Sequence, residues 1–208
     1  MENSHRNRDM HVERVIAQYL DTHLYNNGSF SRCTRTNSIE EQLSGSDIVI
    51  SVPSLNIKNA VVDENAITHY MTKQLPTFAL ELSFLSNNNN VMEGWLTDST
   101  KTTEYYLLLW PLATKDWYIE IEDIKSIEYI LVKRSDILQW LANQGYPIDK
   151  LKEKADIIRN TITENGAIDK VYGKDFCFFL TTRLVEHPIN IVIRKKIYEE
   201  LAVMKGTI

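Results

Sequence analysis

The chain has 208 residues, 43% of them hydrophobic and 25% charged, with a formal net charge of −5. That length supports a sizeable core, and the balance is ordinary for a globular chain in water. No apolar run approaches the roughly 20 residues of a membrane span, so no membrane association is expected. The opening residues lack the apolar stretch of a secretory signal, and Cys33 and Cys177 stand far apart with no metal-ligand spacing. These features point to a cytoplasmic protein with reduced, inert thiols. The acidic balance lacks the basic surplus of many nucleic-acid binders, although local basic patches and bound cations can offset a negative total.

Apolar residues at three- and four-residue steps (Val12, Val15, Ile16, Tyr19, Leu20 and Leu24) predict an amphipathic helix over 9–25, ended by the turn chemistry of 26–29. A strand over 30–36 carries Arg32 and Arg35, and a connector follows over 38–43. Gly45 lets the chain turn into a strand over 47–52, and the turn 53–56 leads to a strand over 58–63. Residues 64–74 read as a short helix stopped before Pro76. The alternation of Phe78, Leu80, Leu82 and Phe84 against Ala79, Glu81 and Ser83 predicts a strand over 77–84. An asparagine loop at 87–90 precedes strands at 93–97, 103–110 and 126–133. Helices over 134–143, capped at Gly145, and over 148–163 come next, then a strand over 176–181 and a helical tail over 191–205. The expectation is one α/β domain over 1–208 with a mixed sheet, its core at about 9–133 and further helical and strand elements in 134–208.

The chemistry concentrates where two carboxylates meet β-branched runs: Asp47 before Ile48-Val49-Ile50, and Asp63 after Ala60-Val61-Val62. Two acids on neighbouring strands make a hard, oxygen-rich site of the kind Mg²⁺ selects, with Mn²⁺ as a substitute. Such an ion can activate water and stabilise both the phosphate and the leaving oxygen in phosphodiester hydrolysis. Asp47 and Asp63 are the candidate ligands, with the backbone carbonyl of Glu64 beside them and Glu13 placed to orient a water. The plainer reading is that Asp47 and Asp63 serve turns and that Glu64 is a first-turn helix carboxylate. Glu81 interrupts an apolar strand, as a solvated charge or as a supporting group. Gln42 either touches the site or caps the turn at Gly45. Arg32, Arg35, Lys195 and Lys196 are candidate phosphate contacts that solvated faces also explain. Trp95, Tyr105, Tyr106, Trp110 and Trp117 lie in apolar stretches, which favours core packing over base stacking.

The order of a helix with Glu13, then Gln42-Leu43-x-Gly45-x-Asp47, then Asp63-Glu64-x-Ala66 resembles the PD-(D/E)XK nuclease superfamily. More narrowly it is similar to uncharacterised phage- and mobile-element-type members. Thr77-Phe78-Ala79-Leu80-Glu81, Gly94-Trp95-Leu96, Thr103 to Tyr106, Trp110-Pro111 and Glu186 to Asn190 carry the likeness over most of the chain. The resemblance implies a restriction-endonuclease-like core, a mixed sheet flanked by helices with Mg²⁺ at the strand edge. It also implies a nucleic-acid substrate, DNA ahead of RNA, and a homodimer where both strands are cut. Two departures stand out: Ser46 precedes Asp47 in place of proline, and Asn65 replaces the motif lysine. Asn65 can hydrogen-bond a water but carries no charge, which leaves a catalytically silent nucleic-acid- or protein-binding module as the alternative.

Overall fold

A computed structural model of the chain describes residues 3–36, 38, 44–169 and 174–208, with side chains throughout except at 3–8. It is a mixed α/β structure with four helices among the described residues. Where one domain is expected, the contacts divide the chain into two compact units. The first comprises 1–75, 102–133 and 202–208, and the second 76–101 and 134–201.

The first unit opens with α1 (Asn3–Leu20), whose last turn widens into a π-helix (Asp21–Tyr25). Val12, Val15, Ile16, Leu20 and Leu24 are all buried, the stripe that the sequence periodicity marks. Strands β1 (Arg32–Arg35), β2 (Ile48–Val52) and β3 (Ile57–Ala66) form an antiparallel meander. The tight link between β2 and β3 passes through Asn56, whose φ of 55° suits asparagine's tolerance of the left-handed region.

β3 continues three residues beyond its expected end, and the helix expected over 64–74 is absent. The reason is tertiary. A partner strand, β6 (Tyr105–Ala113), runs parallel to β3 from Val62↔Tyr105 to Ala66↔Leu109 and fixes those residues in extended form. β7 (Ile124–Lys133) pairs antiparallel with β6, and β11 (Ala202–Thr207) closes the edge, giving the order β1-β2-β3-β6-β7-β11. Pro111 lies beyond the last β3 pairing, so its missing N–H costs no ladder bond on that side. The α1 stripe packs on Ile48, Ile50, Val62, Leu107, Leu109 and Leu131. Burying each such side chain contributes about 1.5–3 kcal/mol.

The second unit is built on an antiparallel sheet of order β5-β4-β10-β9-β8. Its strands are β4 (Thr77–Leu85), β5 (Val91–Glu93), β8 (Gly166–Ile168), β9 (Phe176–Leu180) and β10 (Ile189–Arg194). Phe78, Leu80 and Leu82 are buried, as their alternation requires. Helices α2 (Arg134–Asn143) and α3 (Ile148–Thr161) follow the sequence expectation closely, and Gly145 ends the first with a φ of 90°. The tail departs from it. Ile189, Ile191 and Ile193 are buried in a strand between β4 and β9, so only α4 (Lys195–Leu201) of the expected 191–205 helix forms. β-branched residues at alternate positions suit a central strand better than a helix.

Candidate functional site

The first unit holds a cleft of about 330 Å³ between α1 and the ends of the meander. Met10, Glu13 and Arg14 enter it from α1, Arg35 and Thr36 from the end of β1, Asp47 from the start of β2, and Glu64 and Ala66 from β3. Two local patterns put them there. On β1 the alternation turns Cys33 and Arg35 inward and Arg32 and Thr34 outward. On β3 the face that buries Val62 also carries Glu64 and Ala66 into the cleft.

That same alternation sends Asp63 and Asn65 to the opposite face of the sheet. The cleft therefore brings together Glu13, Asp47 and Glu64, and not Asp63 or Asn65. Glu64 contributes through its side chain, since position 64 lies within a strand and not in a first helical turn. Asp63 does stand across from Asp47, one step beyond the Ile48↔Val62 pair, but β3 turns its side chain away from the cleft. The Asn65 side-chain Nδ2 is buried without a hydrogen-bond acceptor among the described residues.

Asp47 is fixed at the strand junction. Its N–H donates to the Val62 carbonyl at 3.0 Å, and its Oδ2 accepts the Glu64 N–H at 2.8 Å. Glu64 is held at both oxygens. Arg35 Nη1 donates to Oε2 at 2.6 Å, and the Tyr25 hydroxyl donates to Oε1. The Arg35 guanidinium is itself anchored: Nε donates to Asp21 Oδ1 at 2.9 Å, and Nη2 donates to the Ala17 carbonyl at 3.1 Å. The π-helical turn is what presents Asp21 and Tyr25 together at this spot.

Charge in the cleft is unevenly compensated. Burial raises the Glu64 carboxyl above its usual value, and the bonds from Arg35 and Tyr25 pull it back. Arg35 keeps its proton throughout, so the two form an ion pair. Burial and the adjacent Glu64 drive the Tyr25 hydroxyl well above its usual range, so it remains a donor. Glu13 has surface open to solvent, yet its carboxyl is crowded by protein atoms. That crowding, with the charges of Asp9 and Asp47, pushes it up to about 7.

Among the described residues, no three His, Cys, Asp or Glu side chains converge tightly enough to hold a metal ion unaided. The donor chemistry of the cleft still fits Mg²⁺ or Mn²⁺. Such ions keep several waters and commonly take only one or two carboxylates from protein. Asp47 and Glu64 both bring carboxylate oxygens to the cleft, and the charges of Asp9 and Asp47 add to the burial that raises Glu13.

The other candidates lie elsewhere. Gln42 falls outside the described residues. Arg32 is exposed and donates to Asn59 Oδ1 at 2.9 Å. Glu81, Lys195 and Lys196 belong to the second unit. There Lys196 pairs with Asp175 at 2.6 Å, and Glu81 rises to about 7 through burial and the charge of Glu186, against Lys101 and Arg159. Tyr105, Tyr106 and Trp110 are core residues as expected, whereas Trp117 is 56% exposed. Sequence reasoning missed the joint role of Asp21 and Tyr25 in holding Arg35 and Glu64. Their four-residue spacing at the end of the helix was the available signal, since it places both on one helical face.

No helix among the described residues is long and apolar enough to cross a membrane. Compared with protein-family models, curated proteins and solved structures, the chain matches none.

Proposed function

We propose that the chain is a metal-dependent nuclease-like protein of the PD-(D/E)XK kind, hydrolysing phosphodiester bonds with DNA favoured over RNA. One observation carries this reading: acids from the first helix (Glu13), the start of β2 (Asp47) and β3 (Glu64) line one cleft. The mixed sheet with acids at the edges of neighbouring strands agrees with the core that the sequence resemblance implies.

In this reading Asp47 and Glu64 hold the divalent ion, each carboxylate oxygen having a second lone pair beyond the bonds described. When bound, the ion polarises the phosphate and neutralises developing charge. Glu13 accepts the proton of the attacking water as its oxygen bonds to phosphorus and the bond to the leaving oxygen breaks. A carboxyl near 7 is well matched to that task at neutral pH. Asp47 keeps the Glu64 backbone in place through its hydrogen bond.

The second reading is a catalytically silent nucleic-acid-binding module on the same fold. It is favoured by the full engagement of Glu64 and by the absence of a lysine at both 65 and 66. Incubation with labelled single- and double-stranded DNA and RNA, with Mg²⁺ or Mn²⁺, separates the two. The nuclease reading expects cleavage that Asp47→Ala lowers at least about 100-fold while the far-ultraviolet circular dichroism is unchanged. Binding without cleavage, in the wild type and in an Ala66→Lys variant alike, establishes the silent module instead.

A further inference from the structure

A cleft that handles a phosphodiester needs a fixed positive charge facing it, because the transferring phosphate gathers negative charge among carboxylates. Position 65 points to the other face of β3, and position 66, on the cleft face, is alanine. Among the described residues, the cations that line the cleft are Arg14 and Arg35. Arg14 is exposed, its described bond being to the His11 ring at 3.1 Å. Arg35 is different. Its side chain is 29% exposed and it is anchored at three points, on Asp21, Ala17 and Glu64.

Those anchors use Nε, one N–H of Nη1 and one N–H of Nη2. The second N–H of each terminal nitrogen has no acceptor among the described residues. A guanidinium presents its donors in a planar fork, the arrangement that meets two oxygens of a phosphate. Three anchors fix the guanidinium plane before any ligand arrives, so little side-chain entropy remains to be lost on binding.

We propose that Arg35 is the phosphate-facing cation of this cleft, holding Glu64 with one edge and a nucleic-acid phosphodiester with the other. It thereby takes the place left by the absent lysine. The assignment rests on the function proposed above, and deepens it by naming the group that meets the substrate. It also separates Arg35 from Arg32, which lies three residues earlier on the outward face of the same strand.

The test measures binding of a fluorescein-labelled DNA oligonucleotide across a salt series without divalent ions, together with Mn²⁺-dependent cleavage. Arg35→Gln is expected to lower the slope of log affinity against log salt by about 1, the signature of one lost phosphate contact. Cleavage is expected to fall at least about 100-fold, with about tenfold of that restored in Arg35→Lys. Because Arg35→Gln leaves Glu64 buried without its partner, the neutral pair Arg35→Gln/Glu64→Gln is measured beside it and is expected to show the same loss of slope. Arg32→Gln is the charge-matched comparison.

An unchanged salt slope in both Arg35 variants overturns the assignment. So does an equal loss of slope in Arg32→Gln, which would make the effect one of bulk charge. Loss of slope confined to the Arg35 variants, in a wild type that cuts nothing, sinks the nuclease reading and leaves the phosphate contact standing.

Discussion

Glu81 offers a measurement of what burial does to a carboxyl in this protein. Burial and the charge of Glu186 carry it from the usual 4.5 to about 7, with Lys101 and Arg159 partly opposing. Between those values the native chain keeps a proton that the unfolded chain has released. Stability therefore falls as pH rises through this window, and is flat below about 4.5 and above about 7. The full difference amounts to about 3 kcal/mol at 1.4 kcal/mol per pH unit. The side chain retains some contact with solvent, which reduces this to about 2 kcal/mol. Glu81→Gln mimics the protonated form. It should match the wild type near pH 4.5 and exceed it by about 2 kcal/mol at pH 8, or roughly 1 M in the urea midpoint. Glu13 also rises to about 7, but it is present in both proteins and cancels in the difference. Urea titrations followed by circular dichroism from pH 4.5 to 8.5 supply the comparison. Parallel stability–pH curves for the two proteins would refute the reasoning.

Two further substitutions test the strand geometry. Ala66→Lys puts an ammonium on the cleft face beside Glu64 and is expected to raise cleavage. Asn65→Lys puts it on the opposite face, where Nδ2 is already buried without an acceptor, and is expected to leave cleavage unchanged at a cost of about 2 kcal/mol in stability. Reversal of that order, read in one cleavage assay, would show that β3 presents its other face. Gly94→Ala places a Cβ against the Glu81 backbone carbonyl, which cannot swing away, so the urea midpoint should drop by an amount equivalent to about 3 kcal/mol.

The helix stripe from Val12 to Leu24 and the alternation of Phe78, Leu80 and Leu82 were legible because each face meets one core, and local period then equals burial. The 64–74 segment was not legible. Its extended start is imposed by β6, a strand distant in sequence, and no local pattern announces a parallel partner. The site was half legible for the same reason. Asp47 and Glu13 could be named from their positions, but whether Asp63 or Glu64 enters the cleft depends on the phase of β3, and a continuous run of mixed residues does not set that phase. Arg35 could be listed as basic from sequence, but its bond to Glu64 joins residues on strands that are not neighbours.

The interleaving of the two units has a kinetic consequence. β2 and β3 can meet as soon as their short link has formed, yet the parallel neighbour of β3 comes only after the whole β4–β5 segment of the other unit. β11, which closes the first unit's sheet, comes later still. Pairings of such long sequence separation form slowly. The β3 edge beside Glu64 therefore waits for its parallel partner until this long-range pairing has formed. Crowded chains have a longer interval in which to pair with that edge than the finished fold implies.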